Sequence, residues 1–321
     1  MASNGIFVFN GDADGLCALH QLRLSEGAGA TLVTGVKRDI QLLAHVEAAP
    51  GGRVTALDIS HDKNRDDVLR LLNAGVTVRY FDHHFAGELP VHPRFDPHIE
   101  TVSDVCTGVL VNRYLNQRHP KWAVVAAFGD ALPNVGYSLA REHGLTAEVI
   151  DALAQLGRCL NYNAYGEDVD DLFYAPHFLA DAMLPHADPL DFIASSEVLP
   201  VLDDGYRDDL YAARAVAPEF EVPGAAMLVL PAERWARRVS GVLANELVKL
   251  GEKRALAVLS PRRGGGYVVS VRVPATSPLG ADDFCRSFET GGGRRIAAGI
   301  NYLPDVDVDR FTARFKATFA D

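Results

Sequence analysis

The sequence predicts an α/β protein: an N-terminal parallel sheet with helices on both faces, a helical connector, and a smaller C-terminal α/β domain. Three observations predict it. Over the first 82 residues, short apolar runs alternate with segments of helical periodicity, the pattern of a parallel sheet covered on both sides. From residue 146 to about 217 the pattern is helical, punctuated by Pro and Asp. After 218–223 (PEFEVP), which reads as a linker, about 100 residues return to β-rich runs. The expected domains are therefore 1–217 and 218–321.

In chain order, residues 5–10 (GIFVFN) read as the first strand, followed by the GDADG turn and a helix over 16–25. Residues 31–36 are the second strand and 39–48 a helix. Residues 53–58 are the third strand, 64–73 a helix, and 76–82 the fourth strand. Residues 107–116 and 122–128 read as buried helices. In the C-terminal part, 225–230, 254–259 and 267–273 are strand-like, and 232–249, 281–288 and 308–319 are helical. Gly264-Gly265-Gly266 sits between two strands and reads as a hairpin loop.

Composition narrows the function classes. The 321 residues are 48% hydrophobic and 23% charged, which excludes disorder, collagen and a coiled coil as the main state. No apolar run approaches the ~20 residues that span a bilayer, and residues 1–9 lack the features of a signal peptide. Four cysteines without a Cys-x-x-Cys pair fit a reduced cytosolic compartment, each as a small buried residue. The net charge is −11, unevenly spread: residues 1–221 carry 16 Lys+Arg against 32 Asp+Glu, and residues 222–321 carry 15 against 10. An acidic large part and a basic small part suggest a metal site paired with an anion-holding domain. They argue against a basic track for duplex DNA.

The chemistry collects at strand ends. Strand one runs into Asp12 and Asp14, strand three ends at Asp58, and strand four ends at Asp82. Ligands of open parallel sheets sit beyond the carboxyl ends of the strands, so these carboxylates converge on one crevice. Clustered carboxylates repel unless a cation neutralises them, and a divalent metal is the direct explanation. Asp82-His83-His84 is the sharpest local motif. Neighbours leaving a strand point to opposite sides, so one imidazole can bind a metal while the other turns to a substrate oxygen. Asp82 can hold a ring N–H and fix the tautomer. Asp130, after Ala126-Ala127-Phe128-Gly129, suits a carboxylate delivered to the crevice by a helix end. Gly291-Gly292-Gly293-Arg294-Arg295, leading into a short small-residue segment to Gly299 that reads as a helix, suits phosphate: glycine amides approach closely and arginine forks onto oxygens.

These segments, in this order, resemble the DHH phosphoesterases. Asp12-Ala13-Asp14-Gly15 is similar to the first motif, Asp58 to the second, Asp82-His83-His84 to the third and Gly129-Asp130 to the fourth. Residues 103–110 (SDVCTGVL) are similar to the segment between the third and fourth, and 291–299 resembles the GGGH-x-x-AAG signature of the associated DHHA1 domain. The resemblance implies two Mn²⁺ ions, or Mg²⁺, held by Asp12, Asp14, Asp58, His83 and Asp130 with Asp58 bridging. It implies that His84 contacts the scissile phosphate, that the C-terminal domain grips the substrate, and that two-metal activation of water drives hydrolysis. Two positions depart from the pattern. Asn10 stands where other members have Asp or His, so it offers one neutral oxygen as a weak ligand; members with a histidine four before the first Asp have it where this chain has Val8. Arg294 replaces the signature histidine, keeping an anion contact and losing an acid–base group.

The expected function is a metal-dependent phosphoesterase acting on a short oligonucleotide, dinucleotide or nucleotide phosphate, with Asp58, Asp82 and His84 as the catalytic group. The expected partners are that substrate alone, with no duplex DNA and no membrane; a homodimer stays open. One alternative is an attenuated nucleotide- or phosphate-binding protein, favoured by Asn10 and Arg294. The other is a single-strand exonuclease of the RecJ type, disfavoured by the overall acidity.

Overall fold

The structure, a computed structural model, describes residues 5–249 and 254–320. Residues 1–4, 250–253 and 321 lie outside the described residues, so the N-terminal stretch 1–9 is described from residue 5 onward. The chain divides into two compact units, Met1–Asp203 and Asp204–Asp321.

The first unit is built on one parallel sheet. Its strands are β1 (Ile6–Asn10), β2 (Thr31–Gly35), β3 (Arg53–Leu57), β4 (Thr77–Asp82) and β5 (Phe95–Ile99), in the order β2-β1-β3-β4-β5. The strand order reverses at β1, which puts a topological switch point between β1 and β3. Alternation along the strands serves both faces. Phe7, Phe9, Leu57 and Phe81 join one apolar core, while Val8, Val54, Ala56, Val78 and Tyr80 join the other. Val8 is thus a fully buried core residue on the face that also holds Leu43, Val68 and Leu72.

Two local expectations change. The helix expected over 39–48 is only a 3-10 turn, Leu42–His45. Side chains from elsewhere take the backbone groups that a longer helix would pair: Asn64 donates to Ile40 O and accepts from Leu43 N, and Arg70 donates to Leu43 O and Val46 O. Strand β5 (FDPHI) was not foreseen, because proline and polar residues mask it. Its place at the sheet edge is where a strand tolerates proline.

Helices α1 (Ala13–Glu26) and α2 (His61–Asn73) alternate with the strands. The chain then continues through α3 (Thr107–Tyr114), α4 (Pro120–Gly129), α5 (Pro133–Glu142), α6 (Ala147–Asn163), α7 (Pro176–Met183), α8 (Pro189–Ser195) and α9 (Val198–Arg214). Four of these start with proline in the first turn, where its missing N–H costs nothing. Helix α1 is surrounded, packing against α3, α4, α6 and α7. Trp122 is fully buried in this core, its indole N–H given to Ala187 O at 3.0 Å. All four cysteines are buried and free, as expected. No helix among the described residues is long and apolar enough to cross a membrane.

The second unit carries a six-stranded sheet of β6 (Phe220–Val222), β7 (Ala225–Val229), β8 (Ala255–Pro261), β9 (Tyr267–Arg272), β10 (Gly291–Arg294) and β11 (Ala297–Leu303), in the order β10-β11-β9-β8-β7-β6. Among the described residues, only β7 and β8 pair in parallel. Helices α10 (Arg234–Lys249), α11 (Ala281–Cys285) and α12 (Val308–Phe319) complete it. Its core includes Phe284, Phe288, Phe311, Phe315 and Phe319. Gly264-Gly265-Gly266 does join β8 to β9, with Gly265 and Gly266 at positive φ.

Two readings are corrected here. Residues 218–223 are not a bare linker, because Phe220–Val222 pairs antiparallel with β7. Residues 291–299 hold no helix: Gly291–Arg294 and Ala297–Leu303 are paired strands. Small side chains explain this, since a Cβ on Gly291 would lie 1.7 Å from Cys285 O. The glycine lets an edge strand lie against α11.

Gly129 closes α4 where it meets α1. A Cβ there would lie 2.3 Å from Ala13 Cβ and 3.1 Å from Gly157 O. Gly129→Ala is therefore expected to destabilise the first unit by about 1–3 kcal/mol through overpacking. Chemical denaturation followed by circular dichroism checks this; an unchanged midpoint would show that α1 and α4 can separate freely.

Candidate metal centre

The centre begins at the end of β1. Asp12 caps α1, its Oδ1 accepting from Asp14 N at 3.1 Å and Gly15 N at 3.0 Å. A Cβ on Gly15 would lie 2.1 Å from Asn10 O, so only glycine allows this tight entry into the helix. The Asn10 amide braces the same turn. Its Oδ1 accepts from Asp12 N and its Nδ2 donates to Lys37 O, both at 3.2 Å.

Asp14 lies in the first turn of α1, not on an extended continuation of β1. It is fully buried, and each oxygen accepts a backbone N–H at 2.7 Å, from Thr107 and Gly108 at the start of α3. Charge-assisted bonds of this kind are worth about 1.5–3 kcal/mol each. Thr107 also donates its hydroxyl to Asp58 Oδ1 at 3.1 Å. The 103–110 segment, recognised only as a similarity, thus positions two carboxylates, Asp14 through backbone amides and Asp58 through the Thr107 hydroxyl.

Asp58 follows β3 with φ of +58°, a left-handed conformation that aspartate tolerates better than most residues. Asp82 ends β4, fully buried. Its Oδ1 accepts from His84 Nδ1 at 2.7 Å and His84 N at 3.2 Å, and its Oδ2 accepts from His61 N at 3.4 Å. Asp82 therefore fixes the ring of His84, whose side chain is 46% exposed. Asp130 arrives from the end of α4.

His83 stands at the middle. Its Nε2 is buried and has no hydrogen-bond partner. It lies 3.5 Å from Asp58 Oδ1, 3.6 Å from Asp130 Oδ2 and 3.9 Å from Asp14 Oδ2. These separations are long for hydrogen bonds. They suit donors sharing one ion, since ligands ~2.1 Å from a cation sit roughly 3–3.5 Å apart. Asp14, His83 and Asp130 form one group able to hold a metal, and Asp58, His83 and His84 form another. Hard carboxylates with one imidazole fit Mn²⁺ or Mg²⁺ better than a thiophilic ion.

Lys37 is the residue that sequence reasoning missed. It follows β2, and its ammonium is paired with Asp12 Oδ2 and donates to Asn161 Oδ1 at 3.1 Å. It also lies over the Tyr165 ring, 5.8 Å from the centroid. The signal was present in the sequence. Of the four strands read there, β2 alone runs into basic residues, Lys37 and Arg38.

The charges are strongly perturbed. Burial, then the charge of Asp58, raises Asp14 to about 7. Burial, then Asp12, raises Asp58 to about 6. Burial raises Asp130 to about 6, with Lys37 pulling the other way. Burial favours a neutral His83, but Asp58, Asp14 and Asp130 outweigh it and lift the ring to about 10. Burial likewise opposes charge on His84, which Asp82 and Asp58 lift to about 9. Asp12 goes the opposite way: burial would raise it, and the Lys37 ammonium holds it at about 2.

In the second unit, Gly291, Gly292 and Gly293 lie on edge strand β10. A Cβ on Gly292 would meet open space. Arg294 is exposed, and Arg295 donates to Ser277 O at 3.0 Å.

A pH dependence follows. Asp14, Asp58 and Asp130 have folded-state values above the ordinary carboxylate value. The stability they contribute is full below about pH 4 and is lost as pH rises through about 6–7. For His83 the corresponding loss runs from about 6.5 to about 10. A bound ion must displace these protons, so its affinity rises with pH. Mn²⁺ should raise the melting temperature more at about pH 8 than at about pH 5.5, and binding near about pH 6 should release protons in calorimetry. Equal increments at both pH values would contradict this charge arrangement.

No family model and no curated protein sequence matches the chain. Solved structures do. The manganese-bound exonuclease RecJ aligns over 98% of this chain and 90% of its own, with 19% identity and a TM-score of 0.62. RecJ from Thermus thermophilus, in complex with Mn²⁺, aligns equally well over 98% of this chain, which spans 52% of that longer chain, at 19% identity and a TM-score of 0.62. CDC45 from Entamoeba histolytica aligns over 99% of this chain and 96% of its own, with 8% identity and a TM-score of 0.52. A five-stranded parallel sheet with aspartates at the ends of β1, β3 and β4, a second mixed sheet, and these alignments together give the chain the fold of the DHH/DHHA1 phosphoesterases.

Proposed function

We propose that the chain is a metal-dependent phosphoesterase hydrolysing a short phosphorylated substrate: an oligonucleotide, a dinucleotide or a nucleotide phosphate. One observation carries this reading. His83 Nε2 is buried without a hydrogen-bond partner and ringed by oxygens of Asp58, Asp130 and Asp14 at 3.5–3.9 Å. Other buried ring nitrogens, such as His20 Nδ1 and His61 Nε2, also lack a partner; three carboxylates around one nitrogen set His83 apart. The shared fold with RecJ, an exonuclease seen with manganese, agrees with it.

In this reading Asp14, Asp58, His83 and Asp130 hold Mn²⁺, or Mg²⁺. When bound, the ion draws charge from a phosphoryl oxygen and makes water acidic enough to attack at neutral pH. The protein's own groups do the rest. Asp82 takes the Nδ1–H of His84, which leaves Nε2 of that exposed ring for a phosphoryl oxygen. Thr107 and Gly108 lock Asp14 in one orientation, so no reorganisation is needed when the substrate arrives. On the second unit, exposed Arg294 is assigned to a substrate phosphate, with Gly291, Gly292, Gly293 and Arg295 shaping its strand.

The test is Mn²⁺-dependent turnover of a 5′-phosphorylated dinucleotide, beside pAp and single-stranded DNA. Turnover of the dinucleotide is expected, with single-stranded DNA the poorer substrate. Asp58→Ala should abolish it. Asp82→Asn should lower kcat roughly 10–100-fold with little change in bound metal. Arg294→Ala should raise KM and leave metal affinity unchanged. Binding of the panel without turnover would favour a second reading, a phosphate-binding protein, to which the neutral Asn10 and the Arg294 substitution already lend weight.

A further inference from the structure

We propose that the Lys37 ammonium is a built-in cation that occupies the outward oxygen of Asp12, so that the centre takes one divalent ion, at Asp14, Asp58, His83 and Asp130, instead of two. This rests on the metal-dependent reading of the same cluster.

The argument starts from how Asp12 spends its oxygens. Oδ1 is committed to the N-terminus of α1, where it accepts from Asp14 N and Gly15 N. Oδ2 is committed to Lys37. Both oxygens of a carboxylate expected to be a metal ligand are therefore in use. The groups able to hold a metal, Asp14 with His83 and Asp130, and Asp58 with His83 and His84, do not include it.

Lys37 is seated, not passing by. Its ammonium is held by oxygens from two separate elements, Asp12 at the start of α1 and Asn161 in the last turn of α6, and it lies over Tyr165 just beyond that helix. Its own backbone is fixed as well: Lys37 N donates to Ala164 O at 2.9 Å, and Lys37 O accepts from Asn10. An amide oxygen such as that of Asn161 suits either kind of cation, whereas the aromatic face of Tyr165 suits an ammonium. The neutral Asn10 fits the same account. With an ammonium beside Asp12, no further charged or imidazole ligand is required two residues earlier, and Asn10 is free to brace the turn instead.

The ammonium does part of an ion's work. It neutralises Asp12 and supplies fixed positive charge next to the cluster. Two of its three N–H groups have partners among the described residues, and the side chain is 25% exposed, so one donor is left for an anionic oxygen of the substrate.

The experiment counts ions. Wild-type protein is dialysed to equilibrium against Mn²⁺, and bound manganese is measured by elemental analysis, with electron paramagnetic resonance to detect a spin-coupled pair. One ion per chain and no coupled signal are expected. Lys37→Met, which frees Asp12 Oδ2, should bind two ions and show the coupled signal. Lys37→Arg keeps the charge and should stay at one. Asp12→Asn can still cap α1, and should also stay at one; it serves if Lys37→Met does not fold. Two ions in the wild type, or one in a folded Lys37→Met, would overturn the inference while leaving the metal-dependent reading intact. Loss of the ion in Asp12→Asn would overturn it too. No ion in the wild type would bring down the metal-dependent reading itself, and this inference with it.

Discussion

The first unit is organised around a single electrostatic constraint: Asp12, Asp14, Asp58 and Asp82 are all nearly or fully buried at the carboxyl ends of neighbouring strands. A buried carboxylate is costly unless each oxygen finds a donor or a cation. The fold answers each one differently. Asp14 receives two amides from the start of α3, Asp82 receives His84 and the amide of His61, and Asp12 receives the start of α1 and an ammonium. Asp58 has Thr107 and otherwise faces His83. The remaining carboxylate oxygens gather around one imidazole nitrogen, His83 Nε2. The helices serve the same constraint. Residues 107–108 must start a helix beside α1, and Gly129 must let α4 come close enough to deliver Asp130.

Much of this was legible because apolar strands, and acids placed after them, are local patterns. Alternation gave strands β1 to β4 within one residue, and Asp58, Asp82 and His83 were visible at the ends of those strands, with Asp130 at the end of a helix. What was not legible depends on tertiary partners. The segment 39–48 has helical spacing, yet Asn64 and Arg70 from α2 claim its backbone groups. Strand β5 carries Pro97 and is stabilised by its position at the edge of a sheet, which composition does not record. The family resemblance marks Asn10 as a weak ligand; its amide bonds go to Asp12 N and Lys37 O, and neither partner is inferable from the sequence.

The second unit shows the opposite failure, where a motif was read too locally. Three glycines and two arginines before small residues have the composition of an anion-holding helix start. They form an edge hairpin instead, because the absent side chains let β10 sit against Cys285 and let Gly299 lie against Val269. Gly291 and Gly293 serve packing and leave Arg294 exposed at the strand end. Packing and anion binding are therefore not competing accounts of this sequence. A glycine strand is thin enough to do the first and leave the guanidinium free of the packing.

Lys37 and a divalent ion differ as cations in ways that matter to a hydrolase. An ammonium is tethered, present at full occupancy whatever the metal concentration, and limited to one unit of charge and three directional donors. A divalent ion brings more charge and acidifies water, which an ammonium cannot do. In the proposed reading, with Lys37 at Asp12, the acidifying role would fall to the side of the centre where Asp14, Asp58, His83 and Asp130 gather, and the Asp12 side would be left with charge neutralisation and orientation. The division follows the geometry already present. The carboxylate with the lowered affinity for protons is the one paired with lysine, and the carboxylates that hold protons most tightly are those around His83.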